Sequence, residues 1–229
     1  MLITKAWIEV RWRALFSVAT FVAMALSTYS GGVSSPEAAN RLLGAMGLLW
    51  VVSAATLAGS GIKTQASFQA MKGLHGSTAF TLSLPVSRFR LLAVRAGVGL
   101  AGVLTVILIS STAAWFAFPL VRADSLPFDL LKWLLAASCC AAGVYSISVL
   151  ASTVLDEMWQ VWGTILVIGA LKWLTVRYPP PLSFDVFRVM TDASPLVTGT
   201  LPWPAVFISL ALGLAAFLMA VRVVQARDY

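Results

Sequence analysis

Residues 133–155 read WLLAASCCAAGVYSISVLASTVL and contain no charged side chain. An α-helix needs about 20 mostly apolar residues to cross the hydrocarbon core of a bilayer. This stretch therefore predicts one membrane-spanning helix. Cys139 and Cys140 are too close for an ordinary disulfide, because consecutive Cα atoms lie only about 3.8 Å apart. We interpret both cysteines as small packing residues of this helix.

The composition of the whole chain agrees with a membrane location. Hydrophobic residues make up 59% of the 229 residues and charged residues 11%, whereas soluble domains have about 25% charged residues. Such a chain is neither an ordinary soluble enzyme nor a disordered polymer. The net charge of +7 does not indicate a nucleic-acid partner, because the basic residues border apolar runs instead of forming one block.

Six apolar runs are long enough to span a bilayer. Five carry no charge, and one is interrupted only by Lys172. The runs are Ala14–Pro36, Leu42–Ile62, Ala96–Val121, Trp133–Leu155, Met158–Val176 and Ala193–Val221. We predict an all-α integral membrane protein with six transmembrane helices, forming a single transmembrane domain over residues 1–229.

The basic residues predict the orientation of this domain. With the N-terminus inside, the cytoplasmic parts hold ten Lys and Arg residues and the outer parts six. The segment Lys63–Arg95 carries five of the ten and no acid. The positive-inside rule then places both termini in the cytoplasm of a multi-pass protein of the inner (cytoplasmic) membrane. A cleaved signal peptide fits less well, because the charged region before the first run is long and includes Glu9.

Two segments outside the runs have amphipathic character. Residues 2–13 place apolar side chains at helical spacing and predict an interfacial helix in the membrane surface. The alternative is that they form the first turns of span one. Residues 177–203 on the outer side predict short helices that dip part-way into the bilayer, and a flexible external loop is the alternative.

The search for catalytic chemistry finds no site. The chain has no G-x-x-x-x-G-K-[ST] phosphate loop. His75 is the only histidine, too few for a typical zinc centre, and it lies in the cytoplasmic loop, away from any membrane-depth serine. The adjacent acids Asp156 and Glu157 fall in a tight turn. We therefore predict no catalytic residue, no metal ligand and no cofactor on this chain, and we do not expect it to be an enzyme.

Lys172 is the one charged residue inside a predicted span. An intramembrane ion is a functional hypothesis by default, so Lys172 is a candidate for a translocation pathway. It lies near the outer end of its run, however, and Trp173 beside it is an interface residue. Snorkelling of the lysine to the head groups is therefore the favoured interpretation. Small residues at Gly97, Gly99, Gly102 and 141–143 fit helix packing within the chain as well as dimerisation.

Residues 76–88 read GSTAFTLSLPVSR and resemble the ABC-2 family of ABC-transporter permeases. In that family a Gly-Thr pair, a leucine-rich stretch and a Leu-Pro-Val-Ser-Arg-type element lead from the cytoplasmic loop into span three. The matching positions are Gly76, Ser77, Leu84, Pro85, Val86, Ser87 and Arg88. The charged ending 225–229 and the order of spans and loops are similar too. The chain departs from the family at 72–75, where KGLH replaces the usual glutamates.

The resemblance implies a permease subunit of an exporter that works with a separate ATP-binding subunit, which would hold ATP and Mg. Two permeases, identical or homologous, would form the pathway between them. The cytoplasmic loop 60–90 would contain the coupling helix that fits the ATPase. From position and periodicity we expect an apolar contact and a polar rim on this helix. The apolar contact is assigned to Phe68, Met71 and Leu74, and the rim to Lys63, Lys72 and His75.

Other interpretations stay open at this point. Composition alone favours a basic loop 60–90 that only anchors two spans to anionic lipids. A membrane-embedded lipid-modifying enzyme or protease would act without an ATPase partner. A stand-alone ion-coupled carrier would need ionisable residues near the bilayer centre, and Lys172 is the only candidate.

Overall fold

The computed structural model describes residues 2–30, 36–58, 87–117, 126–155, 157–179, 184–190 and 195–226. Within these ranges the chain is almost entirely α-helical and contains no strand, which confirms the all-α prediction for this part of the protein. The helices are α1 (Leu2–Ser30), α2 (Pro36–Leu57), α3 (Arg88–Ala117), α4 (Pro127–Val154), α5 (Glu157–Arg177), α6 (Val186–Met190), α7 (Pro195–Thr198) and α8 (Trp203–Ala226).

Four of the described helices are long and apolar enough to cross a membrane. They cover Phe89–Phe116, Pro127–Val154, Trp159–Arg177 and Trp203–Ala226. Many of their large apolar side chains are exposed, including Leu166 and Phe207, and exposed apolar faces of this length suit contact with lipid. The protein is therefore a multi-pass membrane protein. The predicted count of six spans is not confirmed, although α2 contains a shorter apolar helix, Gly44–Leu57.

Helix α4 lies at the centre of the bundle. It begins with Pro127 at its first position, and the Asp129 carboxylate accepts a hydrogen bond of 3.2 Å from the backbone N–H of Leu126, so both features favour a helix start. The helix then contacts α2, α3, α5, α6, α7 and α8. Trp133 and Cys140 are fully buried on it, and Cys139 and Cys140 are free thiols, as their adjacency predicted.

Small residues bring the helices of the bundle close together. A Cβ atom on Gly143 of α4 would lie 2.6 Å from the carbonyl oxygen of Ser209 on α8. A Cβ atom on Gly99 of α3 would lie 2.6 Å from the carbonyl oxygen of Leu57 on α2. A Cβ atom on Gly97, in contrast, would meet nothing within 4 Å. The close approach at Gly99 and Gly143 therefore depends on the missing side chain, as in other membrane helix pairs.

Helix α1 runs without a break from Leu2 to Ser30. Residues 2–13 form the first turns of this helix and not a separate interfacial helix. The structure therefore agrees with the alternative that the sequence left open. Ala6 and Val10 on these turns are buried. Arg13 donates a hydrogen bond of 3.0 Å from Nη1 to the carbonyl oxygen of Thr56, one of the last carbonyls of α2, and this contact holds α1 against the end of α2.

The segment between α5 and α8 contains the short helices α6 and α7. Val189, Met190 and Leu196 of these helices are buried, and both helices contact α4. The Lys132 amine on α4 donates a hydrogen bond of 2.6 Å to the carbonyl oxygen of Gly199, just after α7. This part of the predicted outer segment 177–203 therefore packs on the bundle.

Candidate functional site

All six residues predicted to contact an ATPase, and the first five matched positions of the family motif, lie outside the described part of the chain. These residues are Lys63, Phe68, Met71, Lys72, Leu74, His75, Gly76, Ser77, Leu84, Pro85 and Val86. The predicted coupling helix therefore stays a prediction. The structure does describe the last two residues of the motif, Ser87 and Arg88, with Ser87 directly before α3 and Arg88 as its first residue.

Ser87 is the N-cap of α3. Its hydroxyl oxygen accepts a hydrogen bond of 3.3 Å from the backbone N–H of Arg90, and its carbonyl oxygen accepts one of 3.1 Å from Leu91. Serine is among the preferred N-cap residues because its side chain satisfies an N–H group that has no partner within the helix. The Ser-Arg end of the motif thus has a local structural role, since it fixes where α3 begins.

The first turns of α3 are basic and contain no acid in the first turn. Arg88 and Arg90 lie in the first turn, although the helix dipole favours negative charge at an N-terminus. Their placement is therefore not explained by helix stability. Basic residues at the start of an apolar helix instead fit an anchor at anionic head groups or an acidic partner surface.

A polar cluster lies in the seam where α2, α4 and α5 meet, and we call it the seam cluster. It consists of Ser148 on α4, Gln160 and Thr164 on α5, and the carbonyl oxygen of Ala55 on α2. Ser148 donates to that carbonyl over 3.1 Å, and the Gln160 amide donates to the same oxygen over 3.2 Å. All three side chains are buried, so the cluster joins the helices where lipid and water are excluded.

Ser148 connects the cluster. Its hydroxyl oxygen accepts hydrogen bonds from Gln160 Nε2 over 3.2 Å and from Thr164 Oγ1 over 3.3 Å. The other amide atom, Gln160 Oε1, is buried and has no hydrogen-bond partner. The cluster offers neutral amide and hydroxyl groups that bind and orient, and these groups are not an acid–base pair. The described residues also contain no group of three or more His, Cys, Asp and Glu side chains placed to hold a metal.

The sequence search missed this cluster because it considered charged residues and catalytic motifs. The available signal was the i, i+4 spacing of Gln160 and Thr164 on an otherwise apolar helix, which places both on one face. Ile168 continues the same buried stripe of α5. The large side chains on the rest of the helix, such as Trp162 and Leu166, are exposed.

A groove of about 160 Å³ lies between α2, α5 and α6, and we call it the lysine groove. Its walls are apolar apart from Lys172. They are formed by Gly44, Gly47, Leu48, Val51 and Val52 of α2, by Ile165, Ile168, Gly169 and Lys172 of α5, and by Phe187 and Met190 of α6. Lys172, the candidate pathway residue, is exposed at the end of this groove.

Two larger apolar grooves lie on other faces of the bundle. One, of about 380 Å³, runs between α4, α5, α6 and α8 and includes Val144, Leu171 and Leu212. The other, of about 430 Å³, runs between α3, α4 and α8 and includes Gly97, Tyr145 and Leu214. Among these three grooves, the lysine groove alone has a charged residue in its wall.

Comparison with models of protein families, with curated proteins and with solved structures gives no match to this chain. No residue role is therefore taken from a relative.

Proposed function

We propose that this chain is the permease subunit of an ATP-binding-cassette exporter of the ABC-2 type. The main support for this proposal is the sequence GSTAFTLSLPVSR at 76–88, which leads into a long apolar helix of a multi-pass bundle. The N-cap role of Ser87 supports the proposal, because the motif then ends where a long apolar helix begins. The complete subunit has six spans and both termini in the cytoplasm of the inner membrane.

The working unit contains two permeases, identical or homologous, and two ATP-binding subunits. ATP and Mg bind to those partner subunits. Phe68, Met71 and Leu74 of the coupling helix enter a cleft on the ATPase, and closure of the ATPase dimer moves the helix. Since α3 follows the motif directly, the movement reaches the bundle at the first turn of α3 and switches the pathway between inward and outward access.

The pathway lies between the two permeases. Lys172 is the one residue that the sequence offers as a candidate for its wall, although snorkelling to the head groups is the favoured interpretation of this lysine. Transport then needs no catalytic residue on this chain. The basic start of α3 lies at the cytoplasmic surface in this arrangement, where anionic head groups balance its charge.

Affinity purification of the tagged chain in mild detergent, followed by mass spectrometry, tests the proposal. We expect an ATP-binding protein in roughly equal amount. A chain that is isolated alone, and stays alone after cross-linking in intact membranes, contradicts the permease assignment. Activity without an ATPase would then favour the alternative, a membrane-embedded lipid-modifying enzyme or protease.

A pair of variants tests the coupling helix itself. Met71→Glu places a charge in the predicted apolar contact, so ATP hydrolysis and transport should become uncoupled while membrane insertion stays normal. Gln69→Glu is the matched control, because it adds the same charge one helical position outside the stripe at 68, 71 and 74. Normal transport by the Met71 variant, or equal loss in both variants, would show that this stripe is not the ATPase contact.

A further inference from the structure

The lysine groove combines an apolar channel with one cation at its end. Lys172 forms the charged end, and the facing walls of α2 and α5 are glycine and aliphatic residues. We propose that the lysine groove binds one acyl chain of an anionic phospholipid, whose phosphate pairs with the Lys172 ammonium. This inference goes beyond the proposed permease function and does not depend on it.

The size of the groove selects a single hydrocarbon chain. Its volume of about 160 Å³ is close to that of an engineered apolar cavity of about 150 Å³ that binds benzene. Pockets for drug-sized ligands are larger, at about 300–1,000 Å³. A single chain segment fits the groove, and the second chain of the lipid stays in the surrounding bilayer.

The direction of the groove matches an acyl chain in a bilayer. On α2 it extends from Gly44 to Val52, eight residues or about 12 Å along the helix axis. On α5 it extends from Lys172 back to Ile165. Lys172 lies five residues before the end of α5, or about 7.5 Å, and a snorkelling lysine side chain covers most of that distance. The ammonium is therefore directed toward the head groups, while the groove continues toward the bilayer centre.

The charge at the groove favours an anionic head group. Within the described residues, no carboxylate lies within 4.0 Å of the Lys172 amine. Lys132, in comparison, forms an ion pair of 2.8 Å with Asp129. A phosphate oxygen offers Lys172 a charge-assisted hydrogen bond. A zwitterionic lipid carries the same phosphate together with a cationic group, which weakens the attraction between the lipid head group and Lys172. We therefore expect the lysine groove to bind an anionic phospholipid more tightly than a zwitterionic one.

Two glycines keep the groove open. A Cβ atom on Gly44 or on Gly169 would meet nothing within 4 Å. A larger side chain at either position therefore occupies the groove without entering a packed neighbour. This property allows the groove to be filled while the helices stay in place.

Native mass spectrometry of the full chain in detergent tests the proposal. Phosphatidylglycerol and phosphatidylcholine with identical acyl chains are titrated, and the dissociation constant of the first bound lipid is measured for each. We expect phosphatidylglycerol to bind about fivefold more tightly, the effect of one lysine near a charged lipid surface. Lys172→Gln should remove this preference. Gly169→Leu should weaken the first binding event for both lipids, because it fills the groove.

Two matched variants control for general effects. Arg177→Gln removes the same charge from an exposed position on the same helix end, and it should keep the preference. Gly97→Leu makes the same substitution at an open glycine in another groove, and it should keep the binding.

Three results would overturn the proposal. The first is equal affinity of the wild-type chain for the two lipids. The second is a preference that survives Lys172→Gln or falls equally with Arg177→Gln, which would identify a general surface charge. The third is displacement of the first phosphatidylglycerol by one palmitate, which would identify a fatty-acid site. Gly44→Leu fills the lysine groove from the α2 side and should also weaken the first binding event for both lipids. The test therefore does not depend on whether Gly169→Leu folds.

Discussion

Gly143 of α4 and Gly213 of α8 lie close together, since a Cβ atom on Gly213 would be only 3.0 Å from the Cα atom of Gly143. The two glycines thus allow α4 and α8 to pack backbone against backbone. The close approach also allows Ser209 of α8 to hydrogen-bond to α4. Its hydroxyl donates to the carbonyl oxygens of Cys139 and Cys140 over 3.2 and 3.1 Å. In lipid the hydrophobic effect does not drive helices together, so close contacts of this kind stabilise the helix pair.

Gly143→Ala should therefore weaken the bundle. The added Cβ atom would lie 2.6 Å from the Ser209 carbonyl oxygen, so α8 must move outward, and overpacking of this kind costs about 1–3 kcal/mol. The free energy of unfolding, measured by SDS titration in mixed micelles, should fall by that amount. Gly97→Ala is the control, because its Cβ atom would meet nothing within 4 Å. Equal stability of the two variants would contradict the close α4–α8 contact.

Neighbouring serines on α3 provide a second test. The Trp50 indole N–H donates to the Ser110 hydroxyl oxygen over 2.8 Å, whereas the buried Ser111 hydroxyl has no partner. Ser110→Ala leaves the indole N–H unpaired inside the bundle, and we expect a loss of about 1 kcal/mol in the free energy of unfolding. Ser111→Ala should be neutral or slightly stabilising, since it removes an unsatisfied polar group. The same SDS titration measures the free energy of unfolding of both variants. A larger loss for Ser111→Ala than for Ser110→Ala would contradict the hydrogen bond between Trp50 and Ser110.

The seam cluster predicts a larger effect at one serine of α4 than at another. Ser148→Ala removes three hydrogen bonds, to Ala55, Gln160 and Thr164. At about 0.6 kcal/mol for each bond in a membrane protein, the free energy of unfolding should fall by about 2 kcal/mol. Ser146→Ala removes only a bond to the Ala142 carbonyl of its own helix and should cost much less. Comparable losses in the two variants would show that Ser148 does not hold the seam together.

The sequence predicts the long helices because apolar length is a local property. The run Trp133–Leu155 corresponds to α4, which begins earlier, at Pro127, because Pro127 and Asp129 form a good helix start. Partner contacts are different, since they depend on residues far apart in the chain. The pattern at Gly97, Gly99 and Gly102 does not reveal that Gly99 faces α2 while Gly97 is open. Ser148 likewise gains its role only from Gln160 and Ala55.

The candidate sites show the same difference between features of adjacent residues and contacts between distant ones. A motif can be read from adjacent residues, and the structure places Ser87 and Arg88 where the apolar helix α3 begins. The lysine groove needs two helices, α2 and α5, since Gly44 of α2 and Lys172 of α5 both line it. From the sequence, Lys172 was only a charge near the end of one run.

The N-cap of α3 gives a prediction that separates a structural from a contact role of the motif. The Ser87 hydroxyl accepts the N–H of Arg90 over 3.3 Å, so Ser87→Ala should lower the stability of the first turn by about 1 kcal/mol. Hydrogen exchange of the Arg90 amide should then become about fivefold faster. Ser87→Asp should restore slow exchange, because aspartate is an equally good N-cap and its charge suits the helix dipole.

The same two variants report on the proposed transport function. If Ser87 acts by fixing the start of α3, Ser87→Asp keeps coupled transport and Ser87→Ala reduces it, in the same order as the exchange rates. If instead the serine hydroxyl itself contacts the ATP-binding subunit, aspartate fails in transport although it restores the helix turn. Transport assays with the ATPase present, combined with exchange at Arg90, therefore decide whether the motif transmits movement through the rigid start of α3 or through its own surface.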